Sequence, residues 1–133
     1  MNKLQTSCII DDDDIFVYGT KRIMKEVGFC DQVLVFSNGQ DAITGLKELS
    51  ASGEDFPSVI FLDLNMPIMD GWEFLEALIK FPDFKKEEVT IYIISSSVDP
   101  RDLVRVKDYS IVSKYILKPI TPEDLKGVLA NVA

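Results

Sequence analysis

Charged side chains stand at the ends of three apolar runs in this sequence, where they could carry out phosphate or metal chemistry. The run Val59–Leu62 ends in Asp63, and the Met66-Pro67 and Asp70-Gly71 pairs that follow are typical of a loop. Because the run is too short for a helix and long enough for a strand buried on both faces, Asp63 is predicted at the C-terminal end of a strand. Open α/β sheets keep their binding and catalytic sites at that edge. Asp63 is therefore the first candidate functional residue.

Two further runs bring charge to the same edge. Cys8–Ile10 is followed by the four aspartates of 11–14, and Tyr115–Leu117 is followed by Lys118 and Pro119. Because the first run stops at Ile10, Asp11 and Asp12 are predicted to be the first residues past the sheet, and the other two aspartates to lead into a helix. The alternative is that the whole acidic run is a solvated helix N-terminus, where the helix dipole favours negative charge.

Several carboxylates at one sheet edge predict a divalent cation. Two unit charges about 4 Å apart repel by about 4 kcal/mol at an effective dielectric constant near 20, and a cation offsets this repulsion. The chain has no histidine, and Cys8 and Cys30 do not form a metal-binding spacing. A protein metal site must therefore use oxygen ligands, which favour Mg²⁺ over zinc or copper.

Strand and helix patterns alternate along the chain without a linker or an internal repeat, which predicts βαβ units and a parallel sheet. Apolar runs predict strands near 8–10, 32–36, 59–62, 91–94 and 115–117, and helical spacing predicts helices through 16–27, 42–49, 74–78, 103–106 and 125–132. Thr121 and Pro122 are typical of a capped N-terminus for the last helix. The predicted fold is a single-domain α/β protein with a doubly wound five-stranded parallel sheet, in the flavodoxin-like order 2-1-3-4-5, and five helices. Strands one and three are then adjacent, so Asp63 faces the acidic run.

Length and composition limit the classes of protein that remain. A chain of 133 residues, 47% of them hydrophobic, fits one domain over residues 1–133 without an output domain. A formal net charge of -8 argues against binding nucleic acid, which needs clustered Lys and Arg. No apolar stretch approaches the ~18 residues of a membrane span, and residues 1–6 contain no signal-peptide core. The expected location is therefore cytoplasmic, with no membrane partner.

The acidic cluster, the lone Asp63, Ser95 after the run Ile91–Ile94, and the Lys118-Pro119 pair occur in the order seen in a known family. The chain resembles the receiver domain of two-component response regulators from about Ser7 to its end, and in design it is most similar to stand-alone chemotaxis-type regulators. The resemblance implies that Asp63 accepts a phosphoryl group from a sensor histidine kinase or a histidine phosphotransfer protein. It also implies a Mg²⁺ cofactor and a downstream protein effector, so that the domain either switches protein–protein interactions or relays phosphate.

The resemblance also implies roles for individual residues. Asp12 and Asp63 would be direct Mg²⁺ ligands, with Asp11 binding through water and Asn65 through its backbone carbonyl. Lys118 would pair with Asp63 at rest and then with a phosphoryl oxygen, and its bond to the following proline would be cis. Without the resemblance, Lys118 could be an ordinary exposed lysine.

The implied switch consists of two residues. The Ser95 hydroxyl would donate to a phosphoryl oxygen, although threonine is more usual at this position, and Tyr115 would turn inward as the hydroxyl moves. Asn65 and Ser97 occupy positions that tune dephosphorylation in the family. The face expected to change most comprises 99–107, Tyr115 and the residues from 121 onward. On the residues alone, Ser95 remains a loop hydroxyl and Tyr115 a strand aromatic.

Three other functions use a similar fold or chemistry. A degenerate receiver would bind partners without phosphate chemistry, but Asp63, Lys118 and the acid pair are intact. A phosphatase of the haloacid dehalogenase kind needs an acid two residues after its nucleophilic aspartate, where this chain has Asn65, and the chain is too short for a cap domain. A flavin-binding protein needs a phosphate-cradling first loop, and here that loop is acidic. The signalling domain is therefore favoured, and the chain is not expected to be an enzyme beyond taking part in its own phosphotransfer and autodephosphorylation.

Overall fold

The structure is a computed structural model that describes residues 3–96 and 99–132. Within these ranges the chain forms one five-stranded parallel sheet with helices on both faces. The strands are β1 (Leu4–Ile10), β2 (Cys30–Phe36), β3 (Val59–Asp63), β4 (Thr90–Ser95) and β5 (Val112–Leu117). The helices are α1 (Asp14–Val27), α2 (Gly39–Ala51), α3 (Gly71–Lys80), α4 (Pro100–Arg105) and α5 (Pro122–Val132). The predicted α/β class and the count of five strands and five α-helices are confirmed.

The strand order is β2-β1-β3-β4-β5, as predicted for a flavodoxin-like sheet. β1 lies next to β3, with Ile10 opposite Leu62, and Asp63 of β3 lies opposite Ile94 of β4. Ser95 of β4 lies opposite Leu117 of β5. The register therefore brings the carboxyl ends of four neighbouring strands together, which places the residues after them at one edge.

Two hydrophobic clusters hold the helices on the sheet. Side chains of α1 and α5 pack on one face, against Ile9, Phe61 and Ile94. Those of α2 and α3 pack on the other face, with Ile10, Leu62 and Ile93. Every residue of β3 is buried, as expected for a central strand covered on both sides.

Local signals fix the helix ends. The Asp13 side chain caps α1 by accepting hydrogen bonds from the backbone N–H groups of Ile15 and Phe16, and Gly28 ends the helix in the left-handed region at φ 66°. At α5, Thr121 Oγ1 accepts from the Asp124 N–H at 3.0 Å, as the sequence predicted. The capping prediction for the fifth helix is therefore confirmed.

The strands begin earlier than the apolar runs indicate. β1 begins at Leu4, β2 at Cys30 and β5 at Val112. The apolar runs begin later than these strands because the first residues of each strand are only partly buried and can be polar. The fourth helix is shorter than the others and continues into a 3₁₀ turn over Val106–Asp108. Among the described helices, none is long and apolar enough to cross a membrane.

Candidate functional site

The candidate site lies at the carboxyl edge of the sheet. Asp63 is the last residue of β3 and Ser95 is the last residue of β4, while Asp11 directly follows β1 and Lys118 directly follows β5. Four strands thus contribute one residue each, and the site exists because parallel strands end at the same edge. Of the aspartates at 11–14, Asp11 and Asp12 reach the site, whereas Asp13 caps α1 and Asp14 begins it.

Lys118 is the counter-charge of the site. Its Nζ lies 2.7 Å from Asp11 Oδ2 and 4.0 Å from Asp63 Oδ1, and its side chain is 15% exposed. The ammonium therefore contacts both buried carboxylates, and Asp11 is nearer to it than Asp63, the partner that the resemblance implies. The Lys118–Pro119 peptide bond is cis, as the resemblance implied.

Burial raises the pKa of both carboxyl groups. The pKa of Asp63 is raised to about 6, first by desolvation and then by the neighbouring Asp11 charge, while Lys118 and the Asn65 backbone N–H act in the opposite direction. The pKa of Asp11 is also raised by desolvation, against the effects of Lys118 and of the Asp13 N–H, which donates to Asp11 Oδ1 at 2.9 Å. One ammonium therefore leaves the negative charge of the site undercompensated.

The donor set fits a hard divalent cation. Carboxylate oxygens of Asp11, Asp12 and Asp63 all lie within 4.8 Å of one another, with Asp12 exposed and the other two buried. Asp11 Oδ2 is buried, and its nearest charged group is the Lys118 ammonium, at 2.7 Å. Three carboxylates beside one ammonium form an all-oxygen site with surplus negative charge, which is what Mg²⁺ requires.

A backbone hydrogen bond joins Lys118 to Ser95. The Lys118 N–H donates to the Ser95 carbonyl at 2.8 Å, and Ser95 itself is buried. Tyr115 is half-buried on β5 opposite Ile93 and packs against the cluster on the α2 and α3 face. Ser95 therefore lies at the site edge, whereas Tyr115 lies two residues back along β5; Ser97 is outside the described residues.

Two residues of the site escaped the sequence analysis. Gly71 follows the loop as the first residue of α3, and glycine is needed there because a Cβ would lie 2.7 Å from the Asp63 carbonyl oxygen. The sequence places Phe16 only in the first predicted helix, yet its ring centroid lies 4.4 Å from Lys118 Nζ. A glycine eight residues after the acceptor candidate was a usable signal, whereas the Phe16–Lys118 contact joins distant parts of the chain.

The fold and this edge of acids and lysine define a receiver domain of two-component signalling. The family model for the response regulator receiver domain matches residues 8–130, and the chain belongs to that family. Receiver domains generally bind Mg²⁺ and interact with histidine kinases and effectors, and this chain has the acidic cluster of Asp11, Asp12 and Asp63.

Solved and curated relatives agree with this assignment. A crystal structure of a two-component response regulator from Cytophaga hutchinsonii superposes with a TM-score of 0.90 at 31% identity, covering 98% of each chain. The nitrate/nitrite response regulator protein NarL of Escherichia coli (strain K12) is 33% identical over 96% of this chain, which spans 54% of that protein. The probable methanogenesis regulatory protein FilR2 of Methanothrix harundinacea (strain 6Ac) is 26% identical over 93% of this chain and 78% of its own length.

Proposed function

We propose that this domain accepts a phosphoryl group on Asp63 from a sensor histidine kinase or a histidine phosphotransfer protein, and that the phosphorylated form switches protein–protein interactions or relays the phosphate. The observation that carries the proposal is the buried Asp63 carboxylate with Lys118 Nζ at 4.0 Å and two further acids beside it. Isolated surface acids do not have a buried cation and a cluster of oxygen ligands at the same time.

Asp63 is suited to act as the nucleophile. A pKa of about 6 leaves it mostly ionised at neutral pH, and one carboxylate oxygen would form a bond to phosphorus as the phosphorus–nitrogen bond of a donor phosphohistidine breaks. Lys118 then balances charge that spreads onto the phosphoryl oxygens. Because the ammonium already contacts Asp11 and Asp63, a small movement suffices for it to follow that charge.

Asp12 and Asp63 would hold Mg²⁺ directly, with Asp11 binding through water and Asn65 through its backbone carbonyl. When bound, Mg²⁺ neutralises the surplus negative charge and polarises the phosphoryl group. The position of the Asp11 carboxylate, with an oxygen within 4.8 Å of oxygens of Asp12 and Asp63, supports a role for Asp11 in ordering a metal-bound water, because a carboxylate oxygen can accept a hydrogen bond from that water.

Transmission would involve Ser95 and Tyr115. The Ser95 hydroxyl would donate to a phosphoryl oxygen, and Tyr115 would turn inward as the end of β4 shifts. The hydrogen bond from the Lys118 N–H to the Ser95 carbonyl supports this coupling, because it joins the backbones of the two residues directly. The readout would be a population shift of the surface formed by α4, β5 and α5.

The test is incubation with acetyl phosphate, with and without Mg²⁺, followed by intact mass measurement. We expect a phosphate-sized gain that requires Mg²⁺ and is lost in Asp63→Asn, which keeps the size of the side chain and removes the nucleophile. Asp12→Asn should abolish most of the labelling that Mg²⁺ supports. The matched control Asp13→Asn, at the α1 cap, should be labelled in Mg²⁺ like the wild type. Labelling that persists in Asp63→Asn would place the acceptor elsewhere.

The alternative is a degenerate receiver that acts as a phosphate-independent binding module. An unlabelled wild type with a native fold in the presence of Mg²⁺ would favour it. A phosphatase function is less favoured, because Asn65 stands where the general acid of such an enzyme is needed. Steady release of phosphate from a substrate monoester would support the phosphatase.

A further inference from the structure

Lys118 has a third neighbour besides its two carboxylates. The centroid of the Phe16 ring lies 4.4 Å from Lys118 Nζ, within the range of a cation–π contact. The lysine side chain is 15% exposed, so the ammonium is largely removed from water and cannot rely on hydration alone. A partly desolvated cation gains more from an aromatic face than an exposed cation does.

The acidic run itself positions the ring. The Asp13 N–H donates to Asp11 Oδ1 at 2.9 Å, and Asp13 Oδ1 in turn accepts from the Phe16 N–H at 3.1 Å. Two hydrogen bonds through Asp13 thus connect the Asp11 carboxylate, which binds Lys118, to the backbone of Phe16. Asp13, which does not reach the acidic cluster, has a role in this arrangement as the cap that sets where α1 begins.

We propose that Phe16 is a positioning residue, whose ring holds the Lys118 ammonium over the carboxylates and so sets its place for phosphoryl transfer. The competing explanation is packing alone, since Phe16 also contacts the hydrophobic cluster on the α1 and α5 face. The two explanations differ in one respect: a positioning ring acts through the charge of Lys118, whereas a packing ring acts whether or not the lysine is present.

The kinetic consequence rests on the proposed function. Loss of the ring should lower the rate of labelling by acetyl phosphate in Mg²⁺ about two- to five-fold, the factor that corresponds to a cation–π contact at a partly exposed site. Phe16→Leu removes the ring and keeps an apolar side chain, whereas Phe16→Tyr keeps the ring and should restore the rate. Tyr18→Leu is the matched control, because Tyr18 is an exposed aromatic residue of the same helix whose ring lies 6.0 Å from Arg22.

A double-mutant cycle separates positioning from packing. In a Lys118→Met background, we expect the effect of Phe16→Leu on the residual labelling rate to disappear, and its effect on the midpoint of urea unfolding to be smaller than in the wild type, because only the packing of Phe16 on the hydrophobic cluster remains to be lost. An equal effect of Phe16→Leu in both backgrounds would show that the ring acts by packing, and would overturn the proposal.

Spectroscopy tests the contact without phosphate chemistry. The Cε protons of Lys118 should be shifted upfield by the ring current in the wild type and in Phe16→Tyr, and should return to ordinary values in Phe16→Leu. Unshifted protons in the wild type would overturn the proposal. If the wild type is not labelled at all, the proposed function fails, while the proton shifts and the unfolding cycle still decide whether Phe16 positions Lys118.

Discussion

Replacing Asp63 by asparagine should stabilise the metal-free domain at neutral pH. Desolvation and the Asp11 charge raise the pKa of Asp63 from 3.8 to about 6, so ionised Asp63 is less favourable in the folded chain than in the unfolded chain. This rise in the pKa of Asp63 corresponds to about 3 kcal/mol at most. Because Asp11 and Asp63 share Lys118, and because an amide leaves some polar surface unpaired, we expect Asp63→Asn to gain about 1 to 3 kcal/mol at pH 7.

The sign of the pH dependence follows from proton binding. Well below pH 3.8, Asp63 is protonated in both the folded and the unfolded chain, and the cost of its charge is absent. Between the unfolded value of 3.8 and the folded value of about 6, the folded chain binds more protons, so stability falls as the pH rises. Above that range the full cost is present. The advantage of Asp63→Asn should therefore be small at pH 4 and largest at pH 7 or above.

Urea unfolding of both proteins at pH 4, 5, 6 and 7, in the presence of a chelator, measures this difference. Adding Mg²⁺ should reduce the stability advantage of Asp63→Asn. The wild type is stabilised by binding the cation, whereas the variant lacks one ligand and is stabilised less. Asp11→Asn offers a comparison, since it removes the carboxylate nearest to Lys118. An advantage that does not change with pH, or an Asp63→Asn protein less stable than the wild type at pH 7, would refute the electrostatic reasoning.

The sequence was sufficient to predict the sheet order and which acids meet at its carboxyl edge, for a physical reason. Strands buried on both faces must be continuous apolar runs, and parallel strands must end at one edge, so the residues that follow Ile10, Leu62 and Leu117 converge. The same reasoning predicted that β1 and β5 begin later in the sequence than they do. The first residues of these strands are only partly buried, so they need not be apolar.

Contacts between side chains far apart in the sequence were not predictable. Phe16 fits the apolar stripe of α1, and no local pattern indicates that its ring also reaches Lys118. The sequence likewise does not indicate which carboxylate lies nearer to Lys118. Asp11 and Asp63 lie at the ends of neighbouring strands and differ only in how their side chains pack. Patterns of residue types specify which strands meet, whereas three-dimensional packing decides the distances of 2.7 and 4.0 Å.

Two further predictions concern the loop and helix beyond the acceptor. Ile68 is 80% exposed and has φ 71°, a conformation that costs a β-branched residue about 1 to 2 kcal/mol. Ile68→Asn should therefore raise the free energy of urea unfolding by about 0.5 to 1 kcal/mol, since asparagine tolerates this region; a loss of stability would mean that the isoleucine side chain makes a contact worth more than the strain. The second prediction concerns α4, which contributes no buried residue, yet its Arg105 guanidinium lies 4.4 Å from the ring of Trp72, the single tryptophan of the chain. Arg105→Ala should shift the fluorescence of Trp72 to longer wavelength, because the ring becomes more exposed, and should speed hydrogen exchange over 100–108, because α4 loses a contact of about 0.5 to 1 kcal/mol. Arg101→Ala is the control, since that side chain is 90% exposed and pairs with Asp99 within the same turn. Equal exchange rates in the two variants would show that α4 is held by its backbone connections and not by the Arg105 stack.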